Sequence, residues 1–245
     1  MNNTQYILIV GATGGIGRQT ALYLQEHGYA CILTDRDEQR LAELSAQISN
    51  APYFVCDIEN SNEIKALFDF VQKSKIKLDG MVYCAGISPL MSVAENDEAV
   101  MLKTFQINYF AFVTMMKYFQ RHEISNDNAS VVAMSSVTSK TSSPRQTIYA
   151  ASKSALDTTI RCMAKEFLPR KIRVNSIVAA PVETEMLRDL KKKSYNLEER
   201  LKSMCPLGVL PVDYVASALE FLLSPRAQYI TGTNMVVDSG FFIQR

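Results

Sequence analysis

Tyr149 and Lys153 stand four residues apart in the stretch Tyr149-Ala150-Ala151-Ser152-Lys153. On a helix that spacing puts both side chains on one face, with the lysine ammonium near the phenol. A free phenol titrates at about pH 10, and a nearby cation favours the phenolate, bringing the group towards neutrality where it can give and take a proton. The pair therefore suits acid/base work. The same spacing also arises on ordinary solvated helices, so its meaning depends on its surroundings.

The other chemistry-bearing stretch is Gly11-Ala12-Thr13-Gly14-Gly15-Ile16-Gly17, which follows the apolar, β-branched run Tyr6 to Val10. A strand that ends in a glycine turn and opens a helix lets backbone approach a pyrophosphate closely, with the first helical N–H groups aimed at it. The spacing G-x-x-x-G-x-G departs from G-x-G-x-x-G, but its place between strand and helix argues for a dinucleotide over turn chemistry alone. Asp35 closes the next strand, where a carboxylate can accept from ribose hydroxyls and repel a 2′-phosphate, which favours NAD(H). Arg36 beside it could hold that phosphate and keeps NADP(H) open, although it reads equally well as a solvated turn charge. Asp57 follows a third strand and could accept from the adenine amino group or cap the next helix.

Elements that alternate in type must position these groups. The pattern predicts strands at Tyr6–Val10, Ala30–Thr34, Tyr53–Cys56, Gly80–Cys84, Ser130–Met134, Arg173–Val178 and Met235–Val237. Helices are predicted from the glycine turn to Gly28, over Glu38–Ile48, Asn62–Gln72 and Glu95–Arg121, from the Tyr149 stretch to Phe167, and over Pro211–Leu223. Ser125-Asn126-Asp127-Asn128 reads as a polar turn. Alternating strands and helices imply an α/β fold of Rossmann type, a single-domain, doubly wound parallel sheet with helices on both faces. Residues 1–245 are read as one unit. Its charged insertion at about 183–206, with Lys191-Lys192-Lys193, is read as a mobile substrate lid.

A formal net charge of +1 gives no general attraction to nucleic acid or an anionic membrane. The five cysteines, 31, 56, 84, 162 and 205, form no CxxC pair, so neither a zinc site nor a disulfide framework is expected and a reducing cytoplasm fits. The N-terminus lacks a basic region and a long apolar run, so neither a signal peptide nor a membrane span is expected.

In its motifs the chain resembles the short-chain dehydrogenase/reductase family over nearly its full length. The matching pieces are the glycine turn, Cys56-Asp57-Ile58, Ala85-Gly86, Asn108, Ser135-Ser136, Tyr149 to Lys153, Ile172-Arg173-Val174-Asn175, Ile230-Thr231-Gly232 and Val237-Asp238. The resemblance implies that Tyr149 is the proton donor or acceptor at a carbonyl or alcohol oxygen, and that Ser136 donates a hydrogen bond to that oxygen. It implies that Lys153 holds the nicotinamide ribose and lowers the Tyr149 pKa, while Asn108 positions a water leading from Lys153 to solvent. It places the cofactor against Gly11, Thr13, Gly14, Gly15, Ile16, Gly17, Asp35, Arg36, Asp57, Ile58, Cys84, Ala85, Gly86, Tyr149, Lys153, Pro181, Val182 and Thr184, and requires no metal.

Four departures stand out. Tyr83-Cys84-Ala85-Gly86 stands where the family has Asn-Asn-Ala-Gly, Ala179-Ala180 where it has Pro-Gly, Val10 where it has threonine, and Ser239 where it has the first of two glycines. Ala180 cannot take a positive φ cheaply, so a local backbone difference is expected there.

The implied substrate pocket is built from Ser88–Val93, Val137–Ile148 and the lid. The implied activity is most like that of 3-oxoacyl-[acyl carrier protein] reductases, on a small-molecule or carrier-bound carbonyl. The alternatives are a dehydrogenase of a sugar, polyol or other secondary alcohol, and a non-catalytic cofactor-binding regulator. Lys191–Lys193, Arg121 and Arg170 are candidates to meet an acidic carrier, though lysine runs are usually solvated faces. His27 and His122 are expected at helix C-termini. A homotetramer is expected, with Phe105, Phe110, Phe112, Val113, Met115 and Met116 buried either between subunits or in the core.

Overall fold

The computed structural model describes residues 4–141, 143–193 and 196–243. Seven strands form one wholly parallel sheet: β1 (Tyr6–Val10), β2 (Ala30–Asp35), β3 (Tyr53–Val55), β4 (Leu78–Tyr83), β5 (Ser125–Ser136), β6 (Arg173–Ala179) and β7 (Asn234–Val237). Their spatial order is β3-β2-β1-β4-β5-β6-β7. The chain therefore runs outward from β1 to β3, returns to β4 beside β1, and continues the other way. The carboxyl ends of β1 and β4 flank the resulting switch point, where such sheets bind ligands.

The central strands are apolar on both faces because helices cover both. Leu8, Val10 and Met81 pack with Phe68, Phe112 and Met115 on one side, whereas Ile7, Ile9 and Val82 pack with Leu24, Leu219 and Leu222 on the other. The first layer carries α3 (Ser61–Lys73), α5 (Ala111–Phe119) and α6 (Thr147–Glu166); the second carries α1 (Gly15–Glu26), α2 (Glu38–Gln47) and α9 (Val212–Leu223). The expected fold is the observed one.

Two elements differ from expectation. The long helix predicted over Glu95–Arg121 is α4 (Glu98–Phe105), a π turn over Gln106–Phe110, and α5. The π turn inserts one residue into the ladder and leaves the apolar periodicity looking continuous in the sequence. Phe112, Met115 and Met116 are fully buried in the core, while Phe110 is 46% exposed. The polar turn predicted at Ser125–Asn128 lies within β5: Leu78 pairs with Ser125 and Gly80 with Ser130, so three extra residues loop out. Arg170 stabilises that irregularity. It donates to Asp127 Oδ1 at 2.8 Å, the Gln120 carbonyl at 2.6 Å and the Ser125 carbonyl at 2.7 Å.

The insertion at 183–206 is helical, comprising α7 (Glu185–Lys193) and α8 (Leu197–Met204). Ser194 and Tyr195 of this insertion lie outside the described residues, as do the Lys193 side chain, Ser142 of the 137–148 loop, and residues 1–3. No described helix is long and apolar enough to cross a membrane.

Candidate active site

The residues singled out in the sequence line the carboxyl edge of the sheet. The glycine turn leaves β1, Asp35 and Arg36 close β2, Asp57 and Ile58 follow β3, and Cys84 to Gly86 leave β4. Ser136 ends β5, and Pro181 to Thr184 follow β6.

The glycine turn is folded tightly. Gly11 has φ +78°, and a Cβ there would lie 2.7 Å from the Ala85 amide nitrogen, so only glycine lets β1 turn this close to the β4 edge. α1 starts from Gly14 as its N-cap, with no side-chain cap and no acid in its first turn. The helices α2, α3 and α4 instead start on Asp37, Asn60 and Asp97, each accepting from a backbone N–H. The first amides of α1 thus stay available to an anion, and the helix dipole favours negative charge there. Beside this terminus a cleft of about 330 Å³ is lined by Thr13, Gly15 and Thr184, with Arg18, Arg40 and Arg188 set among Glu43, Glu183 and Glu185. The three guanidiniums carry no motif in the sequence, and two are engaged: Arg18 donates to Gln47 Oε1 at 2.6 Å and Arg40 pairs with Glu185 at 3.3 Å.

Asp35 is anchored to the turn: its Oδ2 accepts from Thr13 N at 3.0 Å and Thr13 Oγ1 at 2.7 Å, and its Oδ1 accepts from Arg36 N at 2.7 Å. Asp57 does not cap α3, since that position belongs to Asn60, which accepts from Asn62 N at 3.0 Å. Asp57 Oδ1 instead accepts from Glu59 N at 3.0 Å, forming a local Asx turn.

At the chemical end, Tyr149 and Lys153 share the inner face of α6. Burial pushes the Tyr149 phenol above its ordinary value, with the nearby Ser136 hydroxyl acting against that rise. Lys153 therefore does not lower the phenol as the sequence suggested. Its ammonium lies 5.8 Å from the Tyr149 ring centroid and donates to the Met134 carbonyl at 2.9 Å. A backbone acceptor of this kind leaves no signature in a sequence. Burial pulls Lys153 itself down to about 8, opposed by the Asp157 charge and by Cys84.

Ser136 Oγ accepts from Thr138 Oγ1 at 3.0 Å and Thr138 N at 3.3 Å, so its own proton is free to be donated elsewhere. Ser135 Oγ is buried without a partner among the described residues.

The π turn places Asn108 at this centre, fully buried. Its Oδ1 accepts from Ile87 N at 2.9 Å; its Nδ2 donates to the Ile87 carbonyl at 2.9 Å and to Ser152 Oγ at 3.0 Å. A Cβ on Gly86 would stand 3.2 Å from Asn108 Oδ1 and 3.3 Å from Lys153 Nζ, so a glycine keeps open the space where the two converge.

The departures have local answers. Cys84 N still donates to the Val10 carbonyl at 2.9 Å, while burial pushes its thiol up to about 12 and keeps it neutral. Ala180 does not adopt a positive φ and donates to the Val237 carbonyl at 3.1 Å, whereas Ser239 does take the left-handed region at φ 54°.

The basic candidates for a carrier are largely engaged. Lys191 pairs with Glu183 at 3.3 Å and Lys192 with Asp189 at 3.1 Å; Arg121 lies 4.6 Å over the Tyr118 ring, and Arg170 holds β5. His27 ends α1 with Nδ1 2.8 Å from the Tyr23 carbonyl, as expected, and His122 stands 3.9 Å from Asp127. Among the described residues no group of His, Cys, Asp or Glu is placed to hold a metal.

The residues fit a nicotinamide dinucleotide. The uncapped α1 terminus suits a pyrophosphate, and the Asp35 carboxylate suits a ribose diol. Lys153 uses one of its three donors on Met134, which leaves two for hydroxyls.

A family model described as Enoyl-(Acyl carrier protein) reductase matches residues 11–242. The chain is 30% identical to the L-xylulose reductase of Caenorhabditis elegans, with 96% of this chain and 94% of that protein covered. It is 29% identical to the 3-oxoacyl-[acyl-carrier-protein] reductase of Thermotoga maritima, covering 96% and 97% respectively. A short-chain type dehydrogenase/reductase from Mycobacterium ulcerans superposes with a TM-score of 0.90 at 26% identity, covering 98% of this chain and 90% of that one.

Proposed function

Because the chain belongs to the short-chain dehydrogenase/reductase family and is an NAD(P)-dependent oxidoreductase acting on CH–OH and C=O groups, we propose that it reduces 3-oxoacyl thioesters, with Tyr149, Ser136, Lys153 and Asn108 as its proton-transfer set. The observation that carries the assignment is the convergence of the Tyr149 phenol, the Ser136 hydroxyl and the Lys153 ammonium beside the switch point, with Gly86 keeping the space between Asn108 and Lys153 clear.

A bound nicotinamide dinucleotide supplies or takes up the hydride. Tyr149 delivers its proton to the substrate oxygen in reduction and removes it in oxidation. Its raised pKa keeps it protonated and ready to donate. Ser136 donates to the same oxygen and stabilises charge that develops there. Lys153 has two donors left that would bind the nicotinamide ribose. Asn108 braces α6 beside Lys153 through Ser152, which in turn donates to the Tyr149 carbonyl, and would position a water leading from Lys153 to solvent.

Gly11 to Gly17 with Pro181, Val182 and Thr184 would hold the phosphates and carboxamide. Asp57, Ile58, Cys84, Ala85 and Gly86 line the adenosine and nicotinamide walls. Asp35 would favour NAD(H), since a carboxylate anchored at the end of β2 repels a 2′-phosphate, and Arg36 is the group that would accept NADP(H).

The exposed Leu90, Val93 and Met186 on the pocket loops and the lid give the rim an apolar character that suits an acyl chain. The likeness to L-xylulose reductase supports a sugar or polyol as the second reading. Turnover of acetoacetyl-coenzyme A, L-xylulose and glycerol with NADH and NADPH separates the readings. Preference for the sugar or polyol would replace the acyl assignment, and dinucleotide binding without turnover of any carbonyl or alcohol tried would make the protein a cofactor-binding regulator.

We place the protein in the cytoplasm, where its five free thiols stay reduced, and expect a homotetramer that covers Leu102 and Phe110, 60% and 46% exposed on the α4 side. Light scattering that gives the mass of one 27.4 kDa chain would remove that expectation.

A further inference from the structure

Asp157 belongs to none of the motifs above, yet it is only 4% exposed and lies one turn beyond Lys153 on α6. A buried carboxylate is costly unless donors surround it, so its partners show what it holds. Oδ2 accepts from Ser139 Oγ at 2.6 Å, while Oδ1 accepts from Ser176 Oγ at 3.0 Å and Asn234 Nδ2 at 3.3 Å. Ser139 is the last residue of the 3-10 turn Val137–Ser139 that Ser136 caps. A second bond joins the same residue to α6: Ser154, next to Lys153, donates through Oγ to the Ser139 carbonyl at 2.8 Å. The turn that carries Ser136 is therefore clasped to the helix that carries Tyr149 and Lys153. The neighbouring Arg161 does not use up the carboxylate; it donates to the Asp157 backbone carbonyl at 3.1 Å.

Resting on the function proposed above, we infer that Asp157 is a positioning residue for proton transfer: its carboxylate clamps the Ser136 turn onto α6 and sets a negative charge one helical turn from the Lys153 ammonium. The groups acting on Lys153 are Asp157 on its own helix and Cys84 from the β4 edge, with the Tyr149 ring on its near side. Cys84 is neutral, so Asp157 is the anion that offsets the burial of Lys153. The roles are separable because Ser139 touches only the clamp.

Asp157→Asn keeps the shape and an accepting oxygen but removes the charge. The alkaline limb of kcat/KM should then move down by about one pH unit. In dinucleotide-free protein labelled with ¹³C at lysine Cε, the Lys153 resonance, identified by its loss in Lys153→Arg, should titrate at correspondingly lower pH. Ser139→Ala keeps the charge and should lower kcat about tenfold with the limb unmoved, since only part of the roughly hundredfold cost of a 1 Å misplacement is incurred while the Ser154 bond remains. A Lys153 titration unchanged in Asp157→Asn overturns the electrostatic role, and wild-type kcat in Ser139→Ala overturns the clamp. If Asp157→Asn does not fold, Ser139→Ala still decides the clamp. Absence of turnover in the wild type would remove the proposed function, while the lysine titration, which needs no dinucleotide, still decides whether Asp157 acts on Lys153.

Discussion

The Tyr83 hydroxyl donates to the carbonyl of Ile107 at 2.5 Å, joining the end of β4 to the residue before Asn108. A π turn disturbs the normal helical ladder and leaves carbonyls in need of other donors. Tyr83, fully buried and packed edge-on to Phe112, supplies one where the resemblance leads one to expect asparagine. The departure thus contributes to holding the π turn that presents Asn108.

Tyr83→Phe should lower stability by about 1–3 kcal/mol, the cost of a buried carbonyl left without its donor. Turnover should fall with dinucleotide affinity nearly unchanged. Thermal unfolding with calorimetric dinucleotide titration checks both; a variant as stable and as active as wild type would show that Ile107 does not depend on this bond.

Tyr149→Phe removes the proton donor without altering the packing of α6. Turnover should drop at least a hundredfold, within the range that general acid catalysis supplies, while dinucleotide still binds. Steady-state rates and calorimetry on one preparation test this, and substantial residual turnover would move the acid role elsewhere.

Lys153 is held down to about 8 from its ordinary 10.5. Between those values the unfolded chain binds more protons than the folded one, so the lysine's contribution to stability rises with pH across that window. Tyr149, raised from 10.0, acts in the opposite sense only at higher pH. The melting temperature of Lys153→Met relative to wild type should therefore be most favourable near neutrality and decline towards pH of about 10. Parallel melts at several pH values measure the slope, and a difference independent of pH would mean that Lys153 is not desolvated as described.

Asp35→Ala removes the carboxylate that Thr13 and Arg36 hold in place. Affinity for NADPH should rise about tenfold or more relative to NADH, since the repulsion of a 2′-phosphate is lost and Arg36 remains. Calorimetry with both dinucleotides is the check. Tight NADPH binding by the wild type would already contradict the assigned preference.

Much of this was legible in the residues. Strand and helix alternation fixed the fold class because period-two and period-3.6 patterns follow directly from backbone geometry. The glycine turn, Asp35 and the Tyr149–Lys153 pair were legible because each needs particular residue types at particular spacings. What stayed hidden was tertiary. Met134 serves Lys153 through a carbonyl that any residue would provide. Asp157 reads as a surface acid until the fold buries it. The rise of the Tyr149 pKa comes from burial, which the four-residue spacing does not encode. The polar Ser125–Asn128 read as a turn because its compensation comes from Arg170, 45 residues from Ser125.

Gly15 lies against Thr184, whose Cγ2 would stand 2.9 Å from a Cβ on that glycine. The root of the 183–206 insertion therefore rests on the glycine turn, where the proposed phosphate site lies. This constrains how the protein can be re-engineered. Substitutions intended to change which carbonyl compound is accepted belong beyond this junction, on α8, because α7 contributes Glu185 and Arg188 to the cleft beside the glycine turn. A larger residue at position 15 would displace Thr184 and the root of the insertion while crowding the glycine turn, so one change would disturb both the proposed lid and the proposed phosphate site.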